Sequence, residues 1–398
     1  MQRIIFHIDV NNAFLSWSAL ELLKEGYKID IRTIPSVVGG DEKSRHGVVL
    51  AKSMPAKKAG IKTGEPIYQA RKKVDKLYIT PINRKAYELY SNKFYEILCK
   101  YSPTVERYSI DECFLDMTGT EKIFGDPVKL AYKIKDEIKD TLGFTVNVGI
   151  GNNKLCAKMA SDFEKPDKVH TLFENEIETK MWPLEVDDLF MVGRSSSKKL
   201  HEMGINTIRD LAKADINLLI KHFKSQGNLM HNFANGIDNS SVERPIPKNQ
   251  GIGNSVTVPE DMESIDEIKK VVRWLCESVG WRLRKEKKYA TTVAVQLKNN
   301  AFVNYIHQKK TTNPISSNED IYEVACQVLK VMWKGDPIRL VGVRVTDFTD
   351  QTYEQISLFE KAGNLEKREK MQEVMDKINE KYGSYAIMNA SLYEKKKK

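Results

Sequence analysis

Three carboxylates are the residues of this sequence best suited to do chemistry. Asp9 closes a short apolar run, and Asp111 and Glu112 lie at a bend between two later runs that predict strands. Carboxylates at adjoining strand ends can converge, and they then repel one another unless cations lie between them. Two Mg²⁺ ions about 3.5–4 Å apart on such oxygen ligands can activate a hydroxyl and stabilise a departing pyrophosphate. An acid at the end of a strand can also be an ordinary solvated loop residue, so the surrounding motif has to decide between these two interpretations.

The elements expected to position these acids alternate along the first part of the chain. Apolar and β-branched runs predict strands, and aromatic and aliphatic residues spaced at three and four predict amphipathic helices. The predicted elements are strands at 4–10, 105–111, 113–116 and 144–150, helices at 84–100 and about 127–141, and a hairpin or turn within 31–51. This alternation predicts an α+β sheet domain.

Beyond residue 172 the pattern changes to short helices and glycine turns. A stretch rich in proline and polar residues at 245–251 predicts a linker, and a second, smaller α+β unit follows it. The predicted elements of that unit are strands at 254–258, 290–298, near 302–308 and at 339–348, with helices at about 264–286 and 319–333. One more helix is expected at 365–381.

Composition narrows the class of protein. The chain has 398 residues, of which 41% are hydrophobic and 29% charged, which fits two to four globular domains and excludes disordered and collagen-like chains. A net charge of +9 favours polyanionic partners without separating nucleic acid from chance. The apolar runs are too short for a membrane span or a signal peptide, and five scattered cysteines without a C-x-x-C pair predict reduced thiols in the cytoplasm.

The motif around the acids decides their interpretation. The segment SIDECFLD at 109–116 resembles the S-I-D-E-x-x-L-D signature of the Y-family (translesion) DNA polymerases. IDVNNAF at 8–14 resembles that family's first motif, and VGIGNNKLCAKMAS at 148–161, followed by Lys165-Pro166, is similar to its G-I-x-x-N-K-x-x-A-K-x-A-S segment. Four motifs in the right order and spacing are specific. The resemblance covers roughly residues 1–350 and is greatest to the DinB (polymerase IV-like) branch.

The resemblance implies an α+β multidomain fold shaped as a right hand. It implies a palm at 1–12 and 84–172, small fingers at 13–83, a helical thumb at 173–240 and a linker at 241–250. An α+β little-finger domain would follow at 251–350, and a tail at 351–398. Segment 187–205 resembles the thumb's helix-hairpin-helix, in which Met191 replaces the first hairpin glycine. Without the family, that segment predicts only a packing turn between two helices.

The implied activity is template-directed, low-fidelity DNA synthesis past template lesions, without proofreading. Asp9, Asp111 and Glu112, together with the backbone carbonyl of Val10, would hold two Mg²⁺ ions, with Mn²⁺ as a possible substitute. A primer 3′-hydroxyl would then attack the α-phosphate of a dNTP.

Contacts to the nucleotide follow from the same resemblance. Phe14 matches the steric-gate position, where a ring would exclude a ribose 2′-hydroxyl; an ordinary core aromatic is the alternative. Lys165 matches a lysine that meets the γ-phosphate. Where the family has a Tyr-x-x-Arg pair, this chain has Met54 and Lys57, so a weaker grip on the dNTP is expected.

The expected macromolecular partners are primer-template DNA and a bacterial sliding clamp. Arg339 and Arg344 match positions that face template phosphates, whereas the basic run at 282–288 is either a second DNA contact or a solvated helix end. The segment QISLF resembles the Q-x-x-L-F clamp motif, whose binding side chains would be Gln355, Leu358 and Phe359.

Two alternatives to a self-sufficient polymerase stay open. One is a UmuC-like subunit that needs an accessory partner, and the other is a DNA-binding scaffold that has lost its chemistry. The presence of all three metal-binding acids argues against the scaffold, and a self-sufficient polymerase is the preferred interpretation. The protein is further expected to be a monomer in the cytoplasm.

Overall fold

The computed structural model describes residues 3–40, 45, 47–243, 250–350, 364–383 and 386–387. The chain divides into two compact units, one of residues 1–42 and 47–246 and the other of residues 43–46 and 247–398. Among the described residues, no helix is long and apolar enough to cross a membrane.

The first unit contains eight described strands in two sheets. They are β1 (Ile5–Val10), β2 (Ser36–Gly39), β3 (Val49–Lys52), β4 (Tyr78–Thr80), β5 (Val105–Arg107), β6 (Glu112–Asp116), β7 (Val146–Gly151) and β8 (Val169–Leu172). The larger sheet has the order β5-β6-β1-β7-β8, so β1 is central and runs antiparallel to both neighbours. The smaller sheet has the order β3-β2-β4.

Helices cover both faces of the larger sheet. In chain order the described α-helices of this unit are α1 (Ala13–Lys24), α2 (Met54–Lys58), α3 (Ile67–Lys73), α4 (Arg84–Leu98), α5 (Glu121–Phe124), α6 (Pro127–Leu142), α7 (Lys154–Asp162), α8 (Arg194–Glu202), α9 (Ile208–Lys213), α10 (Ile216–Phe223) and α11 (Ser225–Ala234). Phe6 and Ile8 of β1 belong to a core shared with α1, α4 and α6, whereas Ile5 packs on Ala157 of α7. Alternate residues of β1 therefore face opposite layers.

The strand predicted at 105–111 ends earlier than expected. β5 stops at Arg107, because the amides of Tyr108 and Ser109 both donate to the carbonyl of Glu112 and close a turn. Asp111 therefore lies in a bend immediately before β6. The other elements predicted for this sheet are confirmed to within about two residues, including the helix at 84–100, which is α4.

Helices α8–α11 pack around a second core, which they share with Leu155 and Met159 of α7, and in which Leu200, Leu211 and Met230 are fully buried. The turn before α8 holds Met191 in the left-handed backbone region, with φ of 71°. That region favours glycine. The methionine that replaces the expected glycine therefore keeps the backbone conformation that glycine would adopt.

The second unit is a four-stranded antiparallel sheet with helices on one face. Its described elements are β9 (Gly251–Met262), α12 (Ile265–Lys285), β10 (Tyr289–Asn299), β11 (Asn304–Ile315), α13 (Asn318–Met332), β12 (Ile338–Thr349) and α14 (Asn364–Tyr382). The strand order is β11-β10-β12-β9, and residues of α12 and α13 share its core. The predicted elements are all present, but β9 and β11 extend several residues beyond the predicted strands.

Candidate active site

The register of the central strands brings the acidic residues to one edge of the larger sheet. Asp9 on β1 lies opposite Glu112 on β6, and the amide of Val10 donates to the carbonyl of Asp111 at 3.0 Å. The carboxyl-bearing side chains of Asp9 and Glu112 are 9% and 18% exposed, and Asp111 is also partly buried. Two of the three predicted ligands are thus largely removed from water.

Lysine ammonium groups bind the two shielded carboxylates. Lys165 Nζ donates to Asp9 Oδ2, and Lys158 Nζ lies 2.8 Å from Glu112 Oε1. Asp162 bridges both lysines, at 2.8 Å from Lys165 and 3.3 Å from Lys158. The result is a chain of alternating charges from β1 to β6.

The three carboxyl groups do not meet at one point. The carboxylate of Asp111 instead accepts a hydrogen bond from Ser109 Oγ at 2.6 Å. Within the described part of the chain, no group of three or more Asp, Glu, His or Cys side chains is arranged to hold a metal ion. The expected convergence of residues is therefore present in the backbone, while the side chains are bound to lysine and serine.

Burial and pairing separate the pKa values of the two carboxyl groups. Burial raises the pKa of Asp9 to about 6 against the opposing effect of Lys165. Burial also raises the pKa of Glu112, but the neighbouring His7 and Lys158 outweigh it and bring that pKa to about 2. Glu112 is therefore ionised throughout the physiological range, and Asp9 depends on a nearby cation to stay ionised.

The donor set fits hard divalent cations. Carboxylate and carbonyl oxygens are the ligands that Mg²⁺ prefers, and no sulfur ligand competes because Cys113 Sγ is buried with a pKa raised by burial to about 12. Both shielded acids already bind cationic groups in this structure.

Hydrogen bonds from Asn147 and Asn11 fix the loop that carries Lys165. Asn147 lies beside Asp9 in the β1–β7 register, and its Nδ2 donates to the carbonyls of Ser161 and Glu164 at 3.0 and 2.7 Å. Asn11 Oδ1 accepts from the amide of Asp167 at 2.9 Å. These contacts hold the loop against the end of β1, so that Lys165 reaches Asp9.

Phe14 lies in the first turn of α1, shortly after Asp9. Its ring centroid is 4.9 Å from that of Tyr87 and 6.1 Å from that of Trp17, and its side chain is half-buried. The packing of Phe14 on Tyr87 and Trp17 agrees with a role in the core, and its partial exposure leaves an edge of the ring available to a ligand. The steric gate therefore stays a prediction.

The two departures from the family's fingers motif lie on α2. Met54 begins this helix and is 48% exposed, and Lys57 is exposed one turn later. Ser53 caps the helix by accepting a hydrogen bond from the amide of Ala56 at 3.1 Å. Neither Met54 nor Lys57 is used to hold the fold together.

Sequence reasoning did not identify Lys158 or His7 as part of this site. His7 is fully buried two residues before Asp9, and its Nδ1 lies 2.8 Å from Ser161 Oγ. Its Nε2 has no hydrogen-bond partner and lies 3.8 Å from Glu112 Oε2. A usable signal was present, because Lys154, Lys158 and Ser161 repeat at the helical spacing that places them on one face of α7.

The residues expected to contact DNA lie in the second unit in different surroundings. Arg344 is exposed and pairs in register with Gly253 and Ala294 of the neighbouring strands. Arg339 lies beside a bulge at the start of β12, with its guanidinium 5.0 Å from the ring centroid of Phe302.

Part of the basic run at 282–288 is used within the second unit. Arg284 forms a two-point ion pair with Asp376 of α14 and donates to the carbonyl of Ser316. Arg282 donates to the carbonyl of Gly253 at 2.6 Å. These contacts favour a structural role for the two arginines over a contact with DNA. Gln355, Leu358 and Phe359 of the expected clamp motif lie outside the described residues.

Comparison with known proteins decides the family. Sequence profiles of the impB/mucB/samB family and of its C-terminal domain match residues 8–162 and 249–358, and a profile described as DNA polymerase-iota, thumb domain, matches 187–238. A DNA polymerase IV of Clostridium acetobutylicum is 48% identical over 398 residues, which covers the whole of both chains. The chain belongs to the Y-family of translesion DNA polymerases.

Further relatives in this family agree. A DNA polymerase IV of Acetivibrio thermocellus is 35% identical and covers 99% of this chain and 98% of its own. DNA polymerase IV 2 of Bacillus subtilis is 33% identical, with 98% and 94% covered. A solved Y-family DNA polymerase chimera, Dbh-Dpo4-Dbh, superimposes with a TM-score of 0.77 at 26% identity over 87% of this chain and all of its own.

Membership confirms the predicted family, fold class and enzyme class. The protein is a DNA-directed DNA polymerase of translesion synthesis with palm, thumb and little-finger domains. It binds DNA and dNTP and uses divalent metal ions. The exact domain boundaries and the roles of individual side chains stay predictions.

Proposed function

We propose that Asp9, Asp111 and Glu112 hold two Mg²⁺ ions, with the carbonyl of Val10 as a further ligand, for attack of a primer 3′-hydroxyl on a dNTP. The supporting observation is the β1–β6 register, which sets Asp9 opposite Glu112 and hydrogen-bonds Val10 to Asp111. Mn²⁺ is expected to substitute, because it accepts the same oxygen ligands.

The two ions would supply acidity for the attacking hydroxyl and charge stabilisation for the departing pyrophosphate. The protein's own residues prepare the anionic ligands for them. His7 and Lys158 keep Glu112 ionised, and Lys165 balances the charge of the buried Asp9. The side chain of Lys165 is 37% exposed, so it can turn from Asp9 to the γ-phosphate of a bound nucleotide.

Phe14 is proposed to set sugar selectivity. A ring at the start of α1 would clash with a ribose 2′-hydroxyl if the sugar packs on its exposed edge. Phe14→Ala should raise the ratio of ribonucleotide to deoxyribonucleotide insertion by about a hundredfold, measured as kcat/KM for each nucleotide. Phe14→Leu keeps more of the packing on Tyr87 and serves as the matched control. Unchanged sugar selectivity in Phe14→Ala would leave only the role in the core.

Domain roles are proposed with the same boundaries that the resemblance implies, from the palm at 1–12 and 84–172 to the little finger at 251–350. Arg339 and Arg344 would bind template phosphates, and Lys57 would bind the triphosphate. Gln355, Leu358 and Phe359 would bind a bacterial sliding clamp, and the enzyme would act as a cytoplasmic monomer. Deleting residues 355–359 should abolish stimulation by the clamp and leave extension of short primers intact; retained stimulation would exclude the motif.

Primer extension tests the proposal directly. The purified chain, Mg²⁺ and dNTPs would be assayed on undamaged and abasic templates beside the double variant Asp111→Ala, Glu112→Ala. We expect distributive extension by the unaltered chain and none by the variant. No extension by an unaltered chain that still binds DNA would favour a subunit dependent on a partner, or a scaffold.

A further inference from the structure

Lys52, the last residue of β3, lies close to the loop that follows β1. Asn12 donates from Nδ2 to the carbonyl of Lys52 at 2.7 Å. Asn12 itself is in the left-handed backbone region, with φ of 50°, between Asp9 and Phe14. One side chain therefore joins the end of β3 to the turn between the proposed metal ligands and the proposed sugar contact.

The ammonium group of Lys52 has a hydrogen bond but no counter-ion. Its Nζ donates to Thr63 Oγ1 at 2.9 Å, and no carboxylate lies within ion-pair distance of it among the described residues. An ammonium group has three donors, so two are left for another ligand. The acid that influences it most, Glu65, is already bound to Lys73 at 2.6 Å.

A second cation lies close by. Burial and the positive charge of Lys57 together lower the pKa of Lys52. Within the described structure, Lys57 makes no side-chain hydrogen bond or ion pair, and Met54 between them offers no donor. Lys52 is partly buried and Lys57 is exposed, and an anion that binds to both would relieve the repulsion between their like charges.

We propose that Lys52 is a triphosphate-binding residue, which acts with Lys57 to hold the polyphosphate chain of the incoming dNTP. This inference rests on the proposed function, because it needs the nucleotide to lie between the carboxylate edge and the end of β3. The two lysines supply point charges, which suit a ligand whose several anionic oxygens can be approached from more than one direction.

Single-nucleotide insertion kinetics test the role of Lys52. Lys52→Ala should raise the KM for dNTP about tenfold, while kcat changes by less than about twofold, because the chemistry at the carboxylates is untouched. Lys52→Arg should restore most of the affinity. Lys58→Ala, on the same short helix, removes an equal charge and serves as the matched control. A KM within about twofold of the unaltered enzyme in Lys52→Ala, or an equal rise in Lys58→Ala, would overturn the proposal.

A binding measurement separates this inference from the proposed catalytic site. Inorganic tripolyphosphate would be titrated calorimetrically into the full chain without DNA or metal. We expect the Kd to rise about tenfold in Lys52→Ala and further in the double variant with Lys57→Ala. Binding that depends on Lys52 in a chain that does not extend primers would support the lysine pair, although the proposed self-sufficient polymerase activity would then fail. Binding that is independent of Lys52 would overturn the lysine pair alone.

Discussion

Lysines serve two neighbouring regions of the first unit in opposite ways. Around the carboxylates of β1 and β6, Lys158 and Lys165 are each bound to an acid of the catalytic edge. At the end of β3 and in α2, Lys52 and Lys57 have no acid bound to them among the described residues. Lysines bound to the carboxylates keep the site ready to bind cations, whereas lysines without a bound acid gain most when a ligand of opposite charge binds.

The largest expected effect is a loss of turnover when a carboxylate of the catalytic edge is changed. Glu112→Gln keeps the shape of the side chain and removes its charge, so kcat for dNTP insertion should fall by about a thousandfold or more. Glu106→Gln is a matched control, because Glu106 also pairs with a lysine of α7, Lys154, at 2.7 Å and is equally 18% exposed.

Glu106→Gln should lose a similar amount of stability with kcat nearly unchanged. Comparable losses of kcat in both variants would show that ion pairing to α7, rather than metal binding, explains the effect of Glu112. Steady-state kinetics and urea unfolding on the same preparations make the distinction.

A smaller effect is expected on stability, which should depend on Lys158 of the catalytic edge but not on Lys52 of β3. Lys158→Met leaves Glu112 shielded without its partner and should lower the free energy of unfolding by about 2 kcal/mol. Lys52→Met removes a charge that has no acid bound to it, so the free energy of unfolding should change by less than about 0.5 kcal/mol. Urea unfolding at pH 7 measures both, and equal losses would contradict the comparison.

The smallest expected effect is on the affinity for dNTP, through the residues of α2. The double variant Met54→Tyr, Lys57→Arg adds a hydroxyl donor and a planar guanidinium, which can bind phosphate oxygens through two hydrogen bonds. The KM for dNTP should fall about threefold to tenfold, with kcat little changed. An unchanged KM would mean that the grip on the nucleotide is not weakened by these two residues.

Local patterns in the sequence predicted the elements but not the contacts between them. The apolar run before Asp9 predicts β1, and the spacing of aromatic residues predicts α4 to within two residues. The lysines on the carboxylates come from α7 and from the loop after it, 46 and 156 residues away in sequence, so no local pattern reports them.

The end of β5 shows why the length of a strand can be overestimated from a run of strand-forming residues. Residues 108–111 look like a continuation of the strand, but two amides share the carbonyl of Glu112 and turn the chain there. In that turn the Asp111 carboxylate accepts a hydrogen bond from Ser109, whereas the Glu112 carboxylate is bound to Lys158. The different surroundings of these adjacent acids could not have been inferred from their types alone.

The count of metal ions in the assembled site tests the central claim most directly. Mn²⁺ would be titrated into the full chain bound to primer-template DNA and a non-hydrolysable dNTP, and bound ions counted by electron paramagnetic resonance. We predict two ions per chain for the unaltered protein and for Glu106→Gln, and fewer than two for Asp9→Asn. Two ions in Asp9→Asn, or none in the unaltered protein, would contradict the assignment of the carboxylate edge as the metal site.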